Sequence, residues 1–283
     1  MDHAQLNRRA EVLEHLSADG GPLTSTAPTA TINNPAFYGR TGLPTPQRRR
    51  VQREILQKYQ DQYPRVEAAR QAIVMAGPPG AGKSTALESV ITATGISREK
   101  WIPLDADEVK KLLLDQAQAD GTLEAMVPHK LRAEGIKPYP AELASLVHEE
   151  SSQLVKRLQN LAIQRGWNVI IDGTLANEGK SDALLTSLGE NGYTVHMVVV
   201  DIPLADSKKR IRSRWEHGIA EAEKGNNLEG GRWVPPAFAE SVFPSDDPQH
   251  SRCYANATAL AQKHPHVLRL ICRDGMAGKI TSD

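Results

Sequence analysis

The sequence is poor in several features that mark large classes of proteins. It has only two cysteines in 283 residues, without a C-x-x-C pair, which argues against a disulfide scaffold and suits a reducing compartment. Its 34 basic residues balance 34 acidic ones, so overall charge points neither to nucleic acid nor to a membrane surface. No apolar run reaches the length of a membrane span, and the first residues lack an apolar signal core. We therefore expect a soluble, cytoplasmic protein.

Motifs of several enzyme classes are also missing. The nine histidines form no H-E-x-x-H pattern, and the chain has neither an N-K-x-D guanine motif nor a serine or cysteine nucleophile elbow. Metalloproteases, GTPase switches and acyl-transfer hydrolases therefore lose support.

One motif is present in full. "GPPGAGKS" at residues 77–84 has the spacing G-x-x-x-x-G-K-[ST] and lies between an apolar run and a helical pattern. Glycines let backbone N–H groups converge on phosphate oxygens, and a helix amino terminus adds partial positive charge. Lys83 is expected to reach the β- and γ-phosphates, and the Ser84 hydroxyl to ligate Mg²⁺. The predicted nucleotide-binding residues are Gly77, Pro78, Pro79, Gly80, Ala81, Gly82, Lys83, Ser84 and Thr85.

Composition divides the chain near residue 70. Residues 1–70 mix short helical patterns with a stretch rich in Gly, Pro, Ser and Thr, which predicts a helical and irregular extension. Its basic run Arg48–Arg50 could contact a polyanion, but the pattern favours a solvated helix start. Over residues 71–283 short apolar runs alternate with amphipathic segments. This alternation predicts an α/β kinase domain, a P-loop NTPase-type three-layer sandwich whose mainly parallel sheet carries helices on both faces.

Acidic residues follow two of the predicted strands, and ligands of such sheets bind beyond the carboxyl ends of the strands. "PLDADEVKK" places Asp105 and Asp107 at a helix start, where a carboxylate can accept the proton of an attacking hydroxyl or can simply cap the helix. "NVIIDGT" ends in Asp172, followed by Gly173 and Thr174. Asp172 can support Mg²⁺, bind an acceptor hydroxyl or form a turn.

A dense group of cations follows the fourth predicted strand. Helical spacing puts Arg210 and Arg214 on one face, and Lys208 and Arg212 on another, where we expect them to be solvated. The first face is a candidate lid over the nucleotide, although such a charge run is also typical of a wet surface. Arg232 follows a polar, glycine-rich loop and is a candidate second clamp.

The sequence resembles the zeta-toxin family of P-loop kinases over roughly residues 71–275. The resemblance rests on the order of the phosphate loop, "LDADEVK", "IIDGT", Arg214 and Arg232. The resemblance implies transfer of the γ-phosphate of ATP or GTP, with Mg²⁺, to the 3′-hydroxyl of the sugar of UDP-N-acetylglucosamine. It also implies a toxin with a partner antitoxin. Asp107 would be the general base, and Arg214 and Arg232 would clamp the phosphates together with Lys83.

The resemblance implies a substrate-binding set as well, namely Asp107, Glu150, Asp172 and Thr174. In well-studied members the "IIDGT" acid is a glutamate, so Asp172 is shorter by one methylene. Glu150 matches a helix glutamate that contacts the sugar, and Glu149 is nearly as good a match. The segment Gly121–Pro138 looks longer than its family counterpart and would border the acceptor pocket, whereas residues 1–70 have no counterpart in the minimal toxin.

The residues leave two other functions open. The same architecture serves kinases of other small molecules, such as an antibiotic or a free sugar. A nucleotide-gated interaction protein would hydrolyse slowly and need no acceptor. Asp107 separates these classes, because only an acceptor kinase needs that carboxylate for turnover.

Overall fold

The structure is a computed structural model that describes residues 1–274 and 280–282, with side chains described through residue 268. The α-helices are α1 (His3–Leu16), α2 (Pro46–Asp61), α3 (Lys83–Thr94), α4 (Ala106–Ala119), α5 (His129–Ala133), α6 (His148–Arg165), α7 (Glu178–Glu190), α8 (Leu204–Glu223), α9 (Pro236–Ser241) and α10 (Arg252–Lys263). Short 3₁₀ helices span Arg98–Lys100, Thr122–Ala125 and Pro140–Val147. The strands are β1 (Gln71–Ala76), β2 (Ile102–Leu104), β3 (Val169–Asp172), β4 (Thr194–Asp201), β5 (Val267–Asp274) and β6 (Ile280–Ser282).

The chain forms two compact units that are interleaved in sequence. The helical unit comprises Met1–Tyr59, Ala106–Val155 and Ile211–Ala237. The sheet unit comprises Gln60–Asp105, Lys156–Arg210 and Phe238–Asp283. The domain boundary expected near residue 70 stays a prediction, and the units follow other bounds. Within the described part of the chain, no helix is both long and apolar enough to cross a bilayer.

The sheet unit is built on one sheet with the strand order β2-β3-β1-β4-β5-β6. Strands β1 to β5 pair in parallel, and β6 adds an antiparallel edge to β5. After Gln71, the central strand β1 is an unbroken apolar run, and each of its residues from Ala72 to Ala76 is buried. A strand buried on both faces must be covered by helices on both sides. The predicted α/β fold with a mainly parallel sheet is therefore confirmed.

The two faces of β1 have separate coverings. Ile73 and Met75 share a core cluster with Ala86 and Val90 of α3. On the strand, Val74 alternates with these residues and points to the opposite face, and α10 packs against β1, β4 and β5. Apolar residues alternating along one strand thus join two layers of helices to the sheet.

The topology leaves a crevice where the phosphate loop begins. The connection through α3 leads from β1 to β2, and the connection through α7 leads from β3 to β4, so the two crossovers run in opposite directions across the sheet. Right-handed crossovers then place α3 and α7 on opposite faces. Ligands of open α/β sheets bind at such a switch point, beyond the carboxyl ends of the strands. Here these are the ends of β1 and β3, which pair in register as far as Met75 and Asp172.

The helical unit contains the first part of the predicted extension as a packed element. Leu13 and Leu23 are buried, and the extension contributes two buried arginines that pair with glutamates from later in the chain. Arg9 donates through Nε to Glu142 Oε1 at 2.7 Å. Arg48 is only 3% exposed, so the prediction that it lies at a solvated helix start is wrong. The charge is buried because Glu150 compensates it.

Candidate active site

The phosphate loop has a backbone that only glycine adopts without strain. Gly77, Gly80 and Gly82 have φ values of 144°, 76° and 88°, in the region that L side chains rarely adopt. A Cβ on Gly77 would also collide with the carbonyl oxygen of Val200 in β4. The loop leads into α3, which begins at Lys83 without an acidic residue in its first turn. Its unpaired N–H groups and the helix dipole therefore favour an anion at this point.

Lys83 connects the phosphate loop to the end of β3. Its Nζ donates to the carbonyl oxygens of Gly77 at 3.2 Å and Gly173 at 3.1 Å. The same ammonium lies 3.4 Å from Oδ1 of Asp172. The backbone N–H of Gly77 also donates to the carbonyl of Thr174 at 3.3 Å. The structure thus brings together the phosphate-loop lysine and the "IIDGT" segment, as the parallel pairing of β1 and β3 requires.

The residues at the start of α3 fit a magnesium ion that is carried by a nucleotide. Ser84 lies in the first turn with its side chain exposed, and Thr85 beside it is exposed too. Among the residues with described side chains, no three acids, histidines or cysteines are grouped to hold a metal. Mg²⁺ in nucleotide enzymes takes few protein ligands and relies on phosphate oxygens and waters. One hydroxyl, with Asp172 close by, suits that mode of binding.

The amino-terminal part of α8 braces the phosphate loop. Ser207 Oγ donates to the carbonyl of Pro79 at 2.7 Å. Arg210 Nη1 donates to the carbonyl of Gly80 at 3.3 Å. The contact of Arg210 agrees with the helix face predicted for it. Sequence reasoning did not find Ser207, because a single buried serine on a helix carries no pattern.

Two acids at strand ends have different surroundings. Asp105 directly precedes α4 at the end of β2 and is partly buried. Asp201 ends β4, and its carboxylate accepts the backbone N–H of Ser251 at 3.2 and 3.3 Å. Burial raises the pKa of Asp201, although the hydrogen bonds with Ser251 oppose this shift. Asp201 therefore anchors the start of α10.

The candidate base Asp107 lies in the first turn of α4, in the helical unit. Its Oδ1 accepts from Lys110 Nζ at 2.9 Å, and its Oδ2 is paired with Nη1 of Arg232. The side chain of Asp107 remains 42% exposed. The structure thus joins two predicted site residues, Asp107 and Arg232, in one ion pair.

The segment that carries Arg232 is closely packed. A Cβ on Gly231 would collide with the backbone of Trp215 in α8, and one on Gly218 would collide with the backbone of Gly231. The rings of Trp215 and Trp233 meet edge to face, with their centroids 5.3 Å apart. The backbone beside Arg232 is therefore held in place, and any movement of its guanidinium has to come from rotation of the long side chain.

A cavity of about 220 Å³ opens beside Asp107. Its lining comprises Asp107, Lys110, Lys111, Leu114, Asp115, Pro140, Ala141, Ala144, Glu229, Gly230 and Arg232. An open groove of about 770 Å³ shares Lys111, Asp115 and Glu229 with it and continues along Asn226 and Leu228. Together they give a charged chamber with an apolar wall, followed by a wider groove.

The glutamates at the start of α6 are occupied by the amino-terminal extension. Glu150 is fully buried, and its two carboxylate oxygens accept from Arg48 Nε at 2.7 Å and Nη2 at 2.6 Å. Gln52 Nε2 donates to the same carboxylate at 2.8 Å. Glu149 accepts from Ser25 Oγ at 3.0 Å. A ligand could reach Glu150 only by breaking this buried network, so its contact with substrate stays a prediction that the geometry disfavours.

The carboxyl-terminal part of α8 differs from the predicted pattern. Arg214 is exposed, as a clamp awaiting its ligand would be. Arg212 was predicted to be solvated, but its side chain is only 33% exposed and is bound by other groups of the protein. Its Nε donates to Glu216 at 2.6 Å, its Nη2 donates to Asn7 at 2.9 Å, and its guanidinium lies over the ring of Trp215. The partner Asn7 comes from α1, which helix periodicity within α8 could not reveal.

The segment Gly121–Pro138 has a structural role in the helical unit. It forms the 3₁₀ helix Thr122–Ala125 and α5, and it buries Met126 and Leu131. Helix α5 packs against α1. The segment contributes no lining residue to either cavity described above.

The sheet order, the glycine-dependent loop and Lys83 at the start of α3 define a class of protein, the P-loop nucleotide-binding proteins. The family model of the Zeta toxin matches residues 53–274, which is more than half of the chain. The chain therefore belongs to the Zeta toxin family, and the resemblance drawn from its motifs is confirmed.

Solved structures show the same fold at low sequence identity. One, from the PezAT chromosomal toxin–antitoxin system of the human pathogen Streptococcus pneumoniae, is 15% identical with a TM-score of 0.53, and the match covers 82% of this chain and 80% of that one. Another, the AvrRxo1-ORF1:-ORF2 complex with ATP, is 16% identical with a TM-score of 0.56, and the match covers 86% and 68%. No curated protein is significantly similar to this chain in sequence.

Proposed function

We propose that this protein transfers the γ-phosphate of ATP or GTP to the 3′-hydroxyl of the sugar of UDP-N-acetylglucosamine, as the toxin of a toxin–antitoxin pair in the cytoplasm. Membership of the Zeta toxin family supports a phosphotransferase. One observation carries the acceptor role: the half-exposed carboxylate of Asp107 lines a cavity next to Arg232. A nucleotide-gated binder would have no use for a carboxylate placed in this way.

On the nucleotide side, the phosphate loop would hold the triphosphate. In the structure Lys83 is held by two carbonyl oxygens and Asp172. The oxygens of a bound triphosphate would compete with these carbonyls for the ammonium, which would then stabilise charge on the transferring group. The Ser84 hydroxyl would ligate Mg²⁺, which neutralises phosphate charge when it is bound.

On the acceptor side, Asp107 would take the proton of the attacking hydroxyl. Phosphoryl transfer passes through a loose transition state, so the position of the base matters more than a raised pKa. A sugar in the small cavity would meet acceptor oxygens of Asp107 and Asp115, which suit the donor hydroxyls of a neutral sugar. The wider groove along Asn226 and Leu228 offers room for the rest of a sugar nucleotide.

The remaining predicted residues divide into two groups. We assign Arg214 and Arg232 to the phosphate charge that develops during transfer, and Asp172 and Thr174 to the substrate or the Mg²⁺ shell. Glu150 is left out of the proposed site, because Arg48 and Gln52 satisfy its buried carboxylate. Its role is then to hold the extension on α6.

The experiment tests one reaction and locates the phosphate in its product. The protein is incubated with ATP or GTP, Mg²⁺ and UDP-N-acetylglucosamine, and proton–phosphorus NMR locates the new phosphate. Lys83→Ala should abolish transfer. Asp107→Asn should keep nucleotide affinity and lose about 10²–10⁴ in kcat, whereas Asp120→Asn, at an exposed residue outside both cavities, should leave kcat unchanged.

Each failure has its own meaning. If the sugar nucleotide stays unmodified while another metabolite is phosphorylated, the acceptor is wrong and the kinase stands. If Asp107→Asn turns over at the parent rate, the protein is no acceptor kinase of this design. Toxicity is tested separately, by growth of bacteria expressing the parent or the Lys83→Ala variant.

A further inference from the structure

We propose that Lys110 is a positioning residue for Asp107, holding one carboxylate oxygen so that the other can accept the proton of the acceptor. This inference rests on the proposed function. The observation behind it is that the two oxygens of Asp107 have different cationic partners. Lys110 contacts Oδ1 at 2.9 Å, and Arg232 is paired with Oδ2.

The pair with Lys110 is local and shielded. Lys110 and Asp107 are three residues apart on α4, so they lie on the same helix face. The side chain of Lys110 is only 13% exposed, unlike the typical surface ion pair that solvent screens. Helix α4 packs against the 3₁₀ helix Pro140–Val147, whose residues share the cavity lining with Lys110. Nothing in the phosphoryl-transfer chemistry requires this pair to break.

The pair with Arg232 must break if both residues are to act as proposed. A guanidinium that stabilises the transferring phosphoryl group cannot also hold the base that attacks with it. The packed backbone at Gly231 leaves rotation of the Arg232 side chain as the way to release Oδ2. After that release, Lys110 still holds Oδ1 and fixes the plane of the carboxylate.

The consequence for the reaction is one of geometry. A base must lie within about 2.6–3.2 Å of the proton it accepts, and a misplacement of about 1 Å can cost 10² in rate. Without Lys110, Asp107 would lose the shielded contact that fixes the position of its Oδ1. Lys111, the next residue, cannot substitute, because its ammonium is paired with Asp115 and Glu229.

The test uses two substitutions at position 110 in two backgrounds. We expect Lys110→Met to lower kcat by about 10–10² with KM for ATP unchanged. Lys110→Arg keeps the cation and should restore most of the loss. In an Asp107→Asn background, Lys110→Met should add no further loss, because a positioning residue has no effect without the group it positions. Lys130→Met, at an exposed residue of α5, is the matched charge control and should behave as the parent.

Three results would overturn the inference. They are an unchanged kcat for Lys110→Met, a loss that remains in full in the Asp107→Asn background, and a loss that Lys110→Arg does not relieve. If Lys110→Met fails to fold, Lys110→Gln carries the same comparison. Full activity of Asp107→Asn would instead remove the proposed function itself, so the two failures are distinguishable.

Discussion

The buried pair Arg48–Glu150 allows the most direct test of how the extension is held. Arg48→Met keeps much of the side-chain length and removes the charge. It leaves the fully buried carboxylate of Glu150 without its cation, while Gln52 still donates a hydrogen bond to it. A buried carboxylate deprived of its cation is costly, and the cost has to appear as lost stability of the folded state.

Two independent routes give the same magnitude. Removing one member of a buried ion pair typically costs about 3–5 kcal/mol. Counted by bonds, Arg48 donates two charge-assisted hydrogen bonds, at about 1.5–3 kcal/mol each. The Arg48 guanidinium also lies over the ring of Phe37, a contact of about 0.5–1 kcal/mol. Because Gln52 still donates to Glu150, we expect the lower end, about 3–4 kcal/mol.

The assay is urea unfolding followed by tryptophan fluorescence, since Trp215 and Trp233 report on the helical unit. Arg48→Met should lower the midpoint, and so should Glu150→Gln. The double variant Arg48→Met/Glu150→Met should lose less than the sum, because no unpaired charge remains. Arg50→Met is the matched control, because Arg50 lies on the same helix with its ion pair exposed, and it should show no measurable change.

The reasoning is refuted if Arg48→Met destabilises by less than about 1 kcal/mol, the level of an exposed pair. It is also refuted if Glu150→Gln keeps full stability but raises KM for the acceptor. The second result would return Glu150 to the substrate site that the family resemblance implies.

Three further outcomes follow from the geometry. Gly77→Ala should abolish nucleotide binding, measured by calorimetry, because φ of 144° and the Val200 carbonyl exclude a Cβ; normal affinity would contradict this account of the loop. Arg214→Ala should lower kcat by about 10³ or more with little change in KM, and exposed Lys209→Ala on the same helix should not; equal effects would mean that only overall charge matters. Burial raises the pKa of Cys253 to about 11, so the thiol is neutral at pH 8. Iodoacetamide should therefore label it only after unfolding, as read by peptide mass spectrometry, and rapid native labelling would show that the residue is accessible.

The phosphate loop and the sheet could be predicted because their signals are local. Spaced glycines at 77 and 82 have positive φ values that other residues rarely adopt, and an unbroken apolar run such as Ala72–Ala76 suits a strand buried on both faces. Asp172 was placed correctly beside the loop, since parallel strands bring their carboxyl ends to one edge. Each of these inferences depends on a few consecutive residues and on rules of chain topology.

The sequence could not show the environment of Arg48, Glu150 and Arg212, because their partners lie far away in the chain. Arg48 bonds to Glu150 across 102 residues, and Arg212 bonds to Asn7 across 205. Helix periodicity correctly separated the face of Arg210 from that of Arg212, but it could not tell which face meets solvent. The sequence of α8 has no information on what α1 places against it.

The amino-acid sequence by itself determined the class of this protein, through the phosphate loop, the alternation of strands and helices and the order of its acids and arginines. Only the tertiary structure decided which of those charges are available. In the structure Glu150 is buried in an ion pair, Arg214 is exposed, and Asp107 contacts both Lys110 and Arg232. The physical reason is that a charged side chain is either desolvated and paired or left in water. That choice depends on which distant segment packs over it, and residue type and local spacing do not encode it.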